Sequence, residues 1–207
     1  MQALAIPAAA HGDFALLVDA MHRLRARVFK GRLEWDVEAS NGREIDVFDH
    51  LRPTYILAIS SASDVVGCAR LLPATGPTML TRTFPQLLAA GQLEAHAGMV
   101  ESSRFCVDTS LGEGRGGGTL HDATLTMFAA IIEWSMVNGY REIVTATDLR
   151  FERILKRAGW PMTRLGEPEQ IGCTVAVAGS LPADRASFDQ VRPASYVSAL
   201  AGRRHAA

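Results

Sequence analysis

The chain has 207 residues, 48% of them hydrophobic and 21% charged, and its 21 Lys and Arg against 22 Asp and Glu leave a formal net charge of −1. This is ordinary globular material, long enough for a sizeable core. It excludes disorder, a fibrous class and bulk polyanion binding, which needs a net basic surface that releases counterions, so any charge-driven function must be local.

In chain order, the apolar start from Met1 to Ala10 has no Lys or Arg before Arg23 and is short, so a signal peptide is not expected. Asp13 is then expected to cap an amphipathic helix, because Phe14, Leu17, Met21, Leu24 and Val28 recur at spacings of three and four. Residues 55–60 and 65–72 read as strands joined by a polar turn. A short helix is expected over 83–90, with Pro85 in its first turn and Gly91 just past its end. Residues 99–107 form the next strand, followed by the glycine-rich run 112–118. Thr119 is expected to cap a long buried helix ending near Gly139. Its apolar stretch 125–137 is cut by Glu133 and falls short of the roughly 20 residues a membrane span needs. A strand over 142–147, a basic helix over 149–158 closed by Gly159, and a strand over 172–179 complete the pattern. With no repeat or linker, residues 1–201 read as a single domain with a short tail at 202–207. The expected class is α/β, a central mixed, largely antiparallel sheet with helices on both faces.

Charge is segregated. Residues 23–32 hold five basic side chains and no acid, whereas 34–49 hold six acids and only Arg43. Phe29, Trp35 and Phe48 lie among them, so the segment is either solvated surface or a seat for a ligand cation, which gains from both carboxylates and ring faces. In the strand over 99–107, alternation predicts Glu101, Ser103 and Phe105 on one face and Ser102, Arg104 and Cys106 on the other. A carboxylate there is either salt-bridged to Arg70 or Arg104, or a general base whose proton affinity burial raises, with Ser103 helping to hold a water. Arg70 is correspondingly a buried ion-pair partner or a substrate clamp. The glycine run is a connector or an anion site, and it matches neither a P-loop nor a dinucleotide fingerprint. Arg150, Arg153 and Arg157 share a helix face beside Lys156, either solvated or poised for an acidic partner. The three cysteines and six histidines show no ligand spacing, so no metal site or disulfide framework is expected and the cytoplasm is the default compartment.

Several of these segments follow one another as Leu24-Arg25-x-x-Val28-Phe29, Trp35-Asp36, Glu44-x-Asp46-x-x-Asp49, Gly67-Cys-Ala-Arg70-Leu-Leu-Pro73, Thr75-Gly-Pro77 with Met79-Leu80, Phe84-Pro85 and Glu101-x-Ser103-Arg104-Phe105. In this order and spacing they resemble the acyl-homoserine-lactone synthases, the autoinducer synthases of bacterial quorum sensing. The resemblance implies a fold related to the N-acetyltransferases. It also implies transfer of a fatty acyl group from acyl carrier protein to the amine of S-adenosylmethionine, with lactone closure and release of methylthioadenosine. It assigns Glu101 and Ser103 to catalysis, with a water between them and the amine. Arg25, Phe29, Trp35, Asp46, Asp49, Arg70, Phe84, Arg104 and Phe105 would bind S-adenosylmethionine or shape its cleft. Thr145 and Thr147 are candidates for the acyl pocket, and Arg150, Arg153, Lys156 and Arg157 for docking the acidic carrier. S-adenosylmethionine is a substrate, so no cofactor is expected, and neither nucleic acid nor membrane is an expected partner. Glu34, Ala74 and Val100 depart from the family pattern and leave acyl length and donor open. The alternatives are an N-acyltransferase of the same fold using acyl-CoA and another amine, and a non-catalytic paralogue that binds the carrier. The intact Glu101, Arg104 and Asp46 argue against the latter.

Overall fold

Apolar side chains on both sides of the strands at 54–59 and 65–73 demand cover on two faces, and the chain supplies it with helices. The computed structural model describes residues 1–33, 37–108 and 120–200. Expectations for Glu34, Trp35, the glycine run 112–118, Thr119 and the tail 202–207 lie outside the described residues. The strands are β1 (Gln2–Ile6), β2 (Ala39–Ser40), β3 (Arg43–Glu44), β4 (Thr54–Ile59), β5 (Val65–Pro73), β6 (Met99–Val107), β7 (Glu142–Asp148), β8 (Thr163–Arg164), β9 (Glu169–Ile171), β10 (Thr174–Pro182) and β11 (Val197–Ala199). β2 and β3 form a separate hairpin. The rest make one sheet in the order β11-β1-β4-β5-β6-β7-β10-β8, with β9 also on β10. Pairs β1–β11 and β6–β7 are parallel and the other pairs are antiparallel, which bears out the mixed, largely antiparallel expectation.

The helices are α1 (Ala15–Arg25), α2 (Met79–Arg82), α3 (Asp122–Val137), α4 (Leu149–Arg157) and α5 (Arg185–Val191). On one face Met21 and Leu24 of α1, with Val28 just beyond it, pack on Tyr55, Leu57 and Cys68. On the other, Met127, Ala129 and Ala130 of α3 pack with Ile56, Ala58, Val66 and Leu71. Leu80 of α2 meets Val144 and Ala178 on the α1 side, and Leu155 of α4 joins the α3 side. No helix among the described residues is long and apolar enough to cross a membrane.

Four expectations change. Asp13 does not cap α1: Phe14 occupies the cap without a side-chain bond, because the carbonyls of Ala10 and Gly12 already take the amides of Phe14 and Ala15. The helix over 83–90 is instead α2, ending at Arg82, and a 3₁₀ turn at Pro85–Leu87. Proline removes a donor and disfavours helical backbone at Phe84, so one helix cannot run through both. The strand over 172–179 starts later, at Thr174, because Gly172 turns the chain at φ +57°. The apolar N-terminus, weighed only as a targeting segment, is an inner strand between β4 and β11.

Gly166 fastens the segment after β8 to the 3₁₀ turn that carries Leu87. A Cβ there would lie 2.4 Å from the Leu87 carbonyl oxygen and 2.9 Å from the Ala89 amide, and that amide donates to the Leu165 carbonyl at 2.9 Å. Both obstacles are backbone, so Gly166→Ala is expected to cost about 1–3 kcal/mol of stability. A denaturant midpoint equal to that of the unmodified chain would contradict this.

Candidate active site

The site is organised by an irregularity between β5 and β6. Cys68 pairs with Cys106 and Arg70 with Ser103, so Ala69 alone stands opposite both Arg104 and Phe105. Such a two-against-one step is a β-bulge. Arg104 has φ +53°, in the left-handed region that costs a side-chain-bearing residue about 1–2 kcal/mol. This corrects the expected alternation. Arg104 joins Glu101 and Ser103 on the α1 and α2 side, while Phe105 turns to the α3 side and packs on Phe128 and Phe151 with ring centroids 5.4 and 4.7 Å away.

Three arginines and three carboxylates then interlock. Arg25 donates to Glu44 at 2.5 Å and embraces Asp49 with two bonds of 2.8 and 2.9 Å. Arg70 donates from Nη1 to Asp46 at 2.5 Å, with Asp49 at 3.1 Å, and from Nε to the Ser103 hydroxyl at 3.2 Å. Arg104 donates from Nε to Glu44 at 3.0 Å, and its Nη2 lies 2.8 Å from Asp46. Tyr55 donates its hydroxyl proton to Asp49 at 2.9 Å. Asp46 and Asp49 also close a capping box on the 3₁₀ turn Val47–Leu51, which fixes both carboxylates from their own backbone. Burial alone would raise the Asp49 carboxyl, but the hydrogen bonds and charge of Arg25, with the charge of Arg70, hold it well below the usual carboxylate range. Phe48 lies under the Arg70 guanidinium at 5.4 Å and Phe29 under that of Arg104 at 5.7 Å. Arg70 Nη2 is buried with no partner among the described residues.

Glu101 stands apart from this network. It is 1% exposed, and no arginine is within ion-pair distance of it among the described residues. Its oxygens instead accept from the first two amides of α2, Met79 N–H at 3.1 Å and Leu80 N–H at 2.6 Å. Burial pushes its carboxyl up, and these amides, the Arg70 charge and the Thr78 hydroxyl offset part of that rise. Glu101 also marks a vertex. The parallel pairing of β6 with β7 covers Met99–Glu142, Val100–Ile143 and Glu101–Val144 and stops there, so the strands part just beyond the carboxylate.

The structure gathers Arg25, Phe29, Asp46, Asp49, Arg70, Glu101, Ser103 and Arg104 on one side of the sheet, with Phe84 packed beside Phe48, Leu72 and Met79. Trp35 lies outside the described residues. Phe105 is on the opposite side, and so, by strand parity with Ile143, are the half-buried Thr145 and Thr147 of β7. Arg150, Arg153, Lys156 and Arg157 are exposed on α4, whose N-terminus Asp148 caps. Three contributors were not singled out from the sequence. Glu44 bridges Arg25 and Arg104, and its place in the Glu44-x-Asp46-x-x-Asp49 run was the available signal. Tyr55 and Thr78 carried no signal of their own.

The sequence profile of the autoinducer synthase family matches residues 14–191. An acyl-homoserine-lactone synthase of Rhizobium radiobacter is 70% identical over 181 residues, covering 87% of this chain and 85% of its own. Among solved structures, the AHL synthase LasI superposes with a TM-score of 0.74 at 34% identity, over 86% of this chain and 88% of its own. A likeness of fold alone extends to a Lactobacillus plantarum protein assigned as an N-acetyltransferase, with a TM-score of 0.57 at 18% identity over 89% of this chain and 100% of its own.

Proposed function

The chain belongs to the autoinducer synthases and is an acyl-homoserine-lactone synthase, and from that premise we propose that Glu101 takes a proton from the amine of S-adenosylmethionine as that amine attacks a thioester borne by acyl carrier protein. The observation that carries the reading is charge balance. Arg25, Arg70 and Arg104 cancel Glu44, Asp46 and Asp49, and among the described residues of this site Glu101 remains as the carboxylate without an arginine partner. A substrate with a sulfonium and an ammonium against one carboxylate brings the matching single positive charge.

An ammonium is no nucleophile until it loses a proton, and a free α-amine is mostly protonated at neutral pH. Burial lifts Glu101 toward the range where it can accept that proton. The nitrogen then bonds to the acyl carbon, the carbon–sulfur bond of the thioester breaks, and the departing sulfur takes the second amine proton and leaves as the thiol. Ser103 accepts from Arg70 and keeps its own proton to order a water or the substrate, while Arg70 Nη2, which has no partner among the described residues, supplies a donor for the substrate carboxylate. Lactone closure follows when that carboxylate attacks the carbon beside the sulfonium and methylthioadenosine departs, a step that needs orientation and no protein nucleophile. The parting of β6 and β7 beside Glu101 would let the amine approach from the α1 side and the acyl chain lie among Phe105, Phe151 and Thr145 on the other.

Mass spectrometry of purified protein with S-adenosylmethionine and a panel of acyl carrier proteins and acyl-CoAs tests the reading. Acyl lactone and methylthioadenosine should form with higher kcat/KM from carrier-borne chains. Preference for acyl-CoA would overturn the donor assignment. For the docking face, Arg153→Glu with Arg157→Glu is expected to raise KM for the carrier substrate about 10-fold and leave KM for S-adenosylmethionine within 2-fold, since exposed rim charges act mainly on encounter. A shift confined to S-adenosylmethionine would place the patch elsewhere.

A further inference from the structure

Gly179 leaves a notch in β10. It pairs directly with Thr145 of β7, so both positions present the same face of the sheet, and the paired Leu181 and Ile143, two residues away on each strand, place that face on the α3 side. A Cβ at Gly179 would overlap Cγ and Sδ of Met162 and lie 2.9 Å from its methyl carbon, so the Met162 side chain is laid across the glycine, next to Thr145. The backbone that carries Met162 is held on both sides. Before it, Trp160 is buried and its indole donates to the Pro182 carbonyl at 2.9 Å. After it, Arg164, which pairs with Gly179 from β8, donates to Glu152 of α4 through two bonds of 2.7 and 2.8 Å. The flexible thioether itself is only half-buried, whereas Phe128 and Leu155 of the cluster it packs against are buried.

We propose that Met162 is a specificity-determining residue for the acyl donor: seated in the Gly179 notch beside Thr145, it forms the end wall of the acyl slot and sets the chain length that the slot accepts. The proposal rests on the reading that the acyl chain enters where β6 and β7 part and lies among Phe105, Phe151 and Thr145. A chain that crosses Thr145 under α4 reaches β10 next, and the residue paired there, Gly179, has no side chain to stop it. Met162 takes that place. Because the stop is a side chain laid into a notch and not part of the strand, its size can change without altering the sheet.

The test is competition among straight-chain acyl donors of graded length, borne on one carrier that the unmodified enzyme turns over, with the lactones separated by mass. Met162→Ala should move the preferred length up by about two carbons, as the volume vacated by Cγ, Sδ and Cε becomes slot. The kcat/KM of the longer donor relative to the former optimum should rise about 10-fold, the scale at which an apolar pocket reads chain length, with KM for S-adenosylmethionine within about 2-fold. Met162→Trp should shift the preference toward shorter chains, and it reads the same wall should the alanine variant not fold. Met162→Leu, close in volume, should keep the original order. Adding Gly179→Ala to Met162→Ala puts a methyl group into the emptied notch and should bring the preference part of the way back. An unchanged order of donors in folded Met162→Ala or Met162→Trp, or an equal fall for every length, overturns the proposal, because a residue that merely packs would not discriminate among chains. Failure of the slot itself is read separately from Thr145→Phe. If that variant loses the longer donors while the Met162 variants change nothing, only the role of Met162 falls; if it leaves the whole panel unchanged, the acyl chain lies elsewhere and the proposal falls with the slot.

Discussion

Glu101→Gln is expected to lower kcat by about 10²-fold or more, the usual scale for a general base. The substitution conserves shape and removes the ability to take a proton. It also places an NH₂ donor against one of two amides that now donate to the carboxylate, so a modest loss of stability should accompany the loss of rate. The two effects separate in the measurement. Steady-state turnover with saturating substrates reports the chemistry, and a thermal melt reports the fold. Turnover within 3-fold of the unmodified enzyme would show that the amine proton leaves by another route.

Arg25→Met should cost about 3–5 kcal/mol of stability, the penalty for stranding buried charge. Arg25 is fully buried and bonds both Glu44 and Asp49, themselves almost entirely buried, so its removal leaves two carboxylates short of a cation. The pH dependence follows in sign from Asp49. Its carboxyl is held below the ordinary value near 4, so its contribution is present above that pH and is lost as pH falls through the folded value. The stability gap between the two proteins should therefore be widest near neutrality and shrink below about pH 4. Chemical denaturation at several pH values checks both; a gap independent of pH would show that Asp49 finds a substitute partner.

Much of this arrangement was readable before the fold was seen, for identifiable reasons. Residues 65–72 and 99–107 announce strands through dense apolar content between turn residues, and β5 and β6 span those ranges almost residue for residue. The oppositely charged segments at 23–32 and 34–49 do meet, through Arg25 with Glu44 and Asp49. What escaped was set by tertiary geometry. Nothing in Ser103-Arg104-Phe105 marks a bulge, since no glycine signals the positive φ, so alternation sent Arg104, Phe105 and Cys106 to the wrong faces. Asp13 had a capping side chain in a plausible place, but the preceding turn's carbonyls made it redundant. The dual use of Glu101, as an anion and as the acceptor for α2, requires two segments some twenty residues apart to touch, which periodicity cannot report.

The bulge in β6 has an evolutionary reading. Without Arg104 the strand would alternate perfectly: Met99, Glu101, Ser103 and Cys106 would keep the α1 side, and Val100, Ser102, Phe105 and Val107 the α3 side. Arg104 is thus one residue inserted into an otherwise regular strand, adding a guanidinium to the cleft while leaving the packing parity of its neighbours intact. A chain of this fold can gain or lose that guanidinium by the insertion or deletion of a single codon, with neither layer of the core repacked.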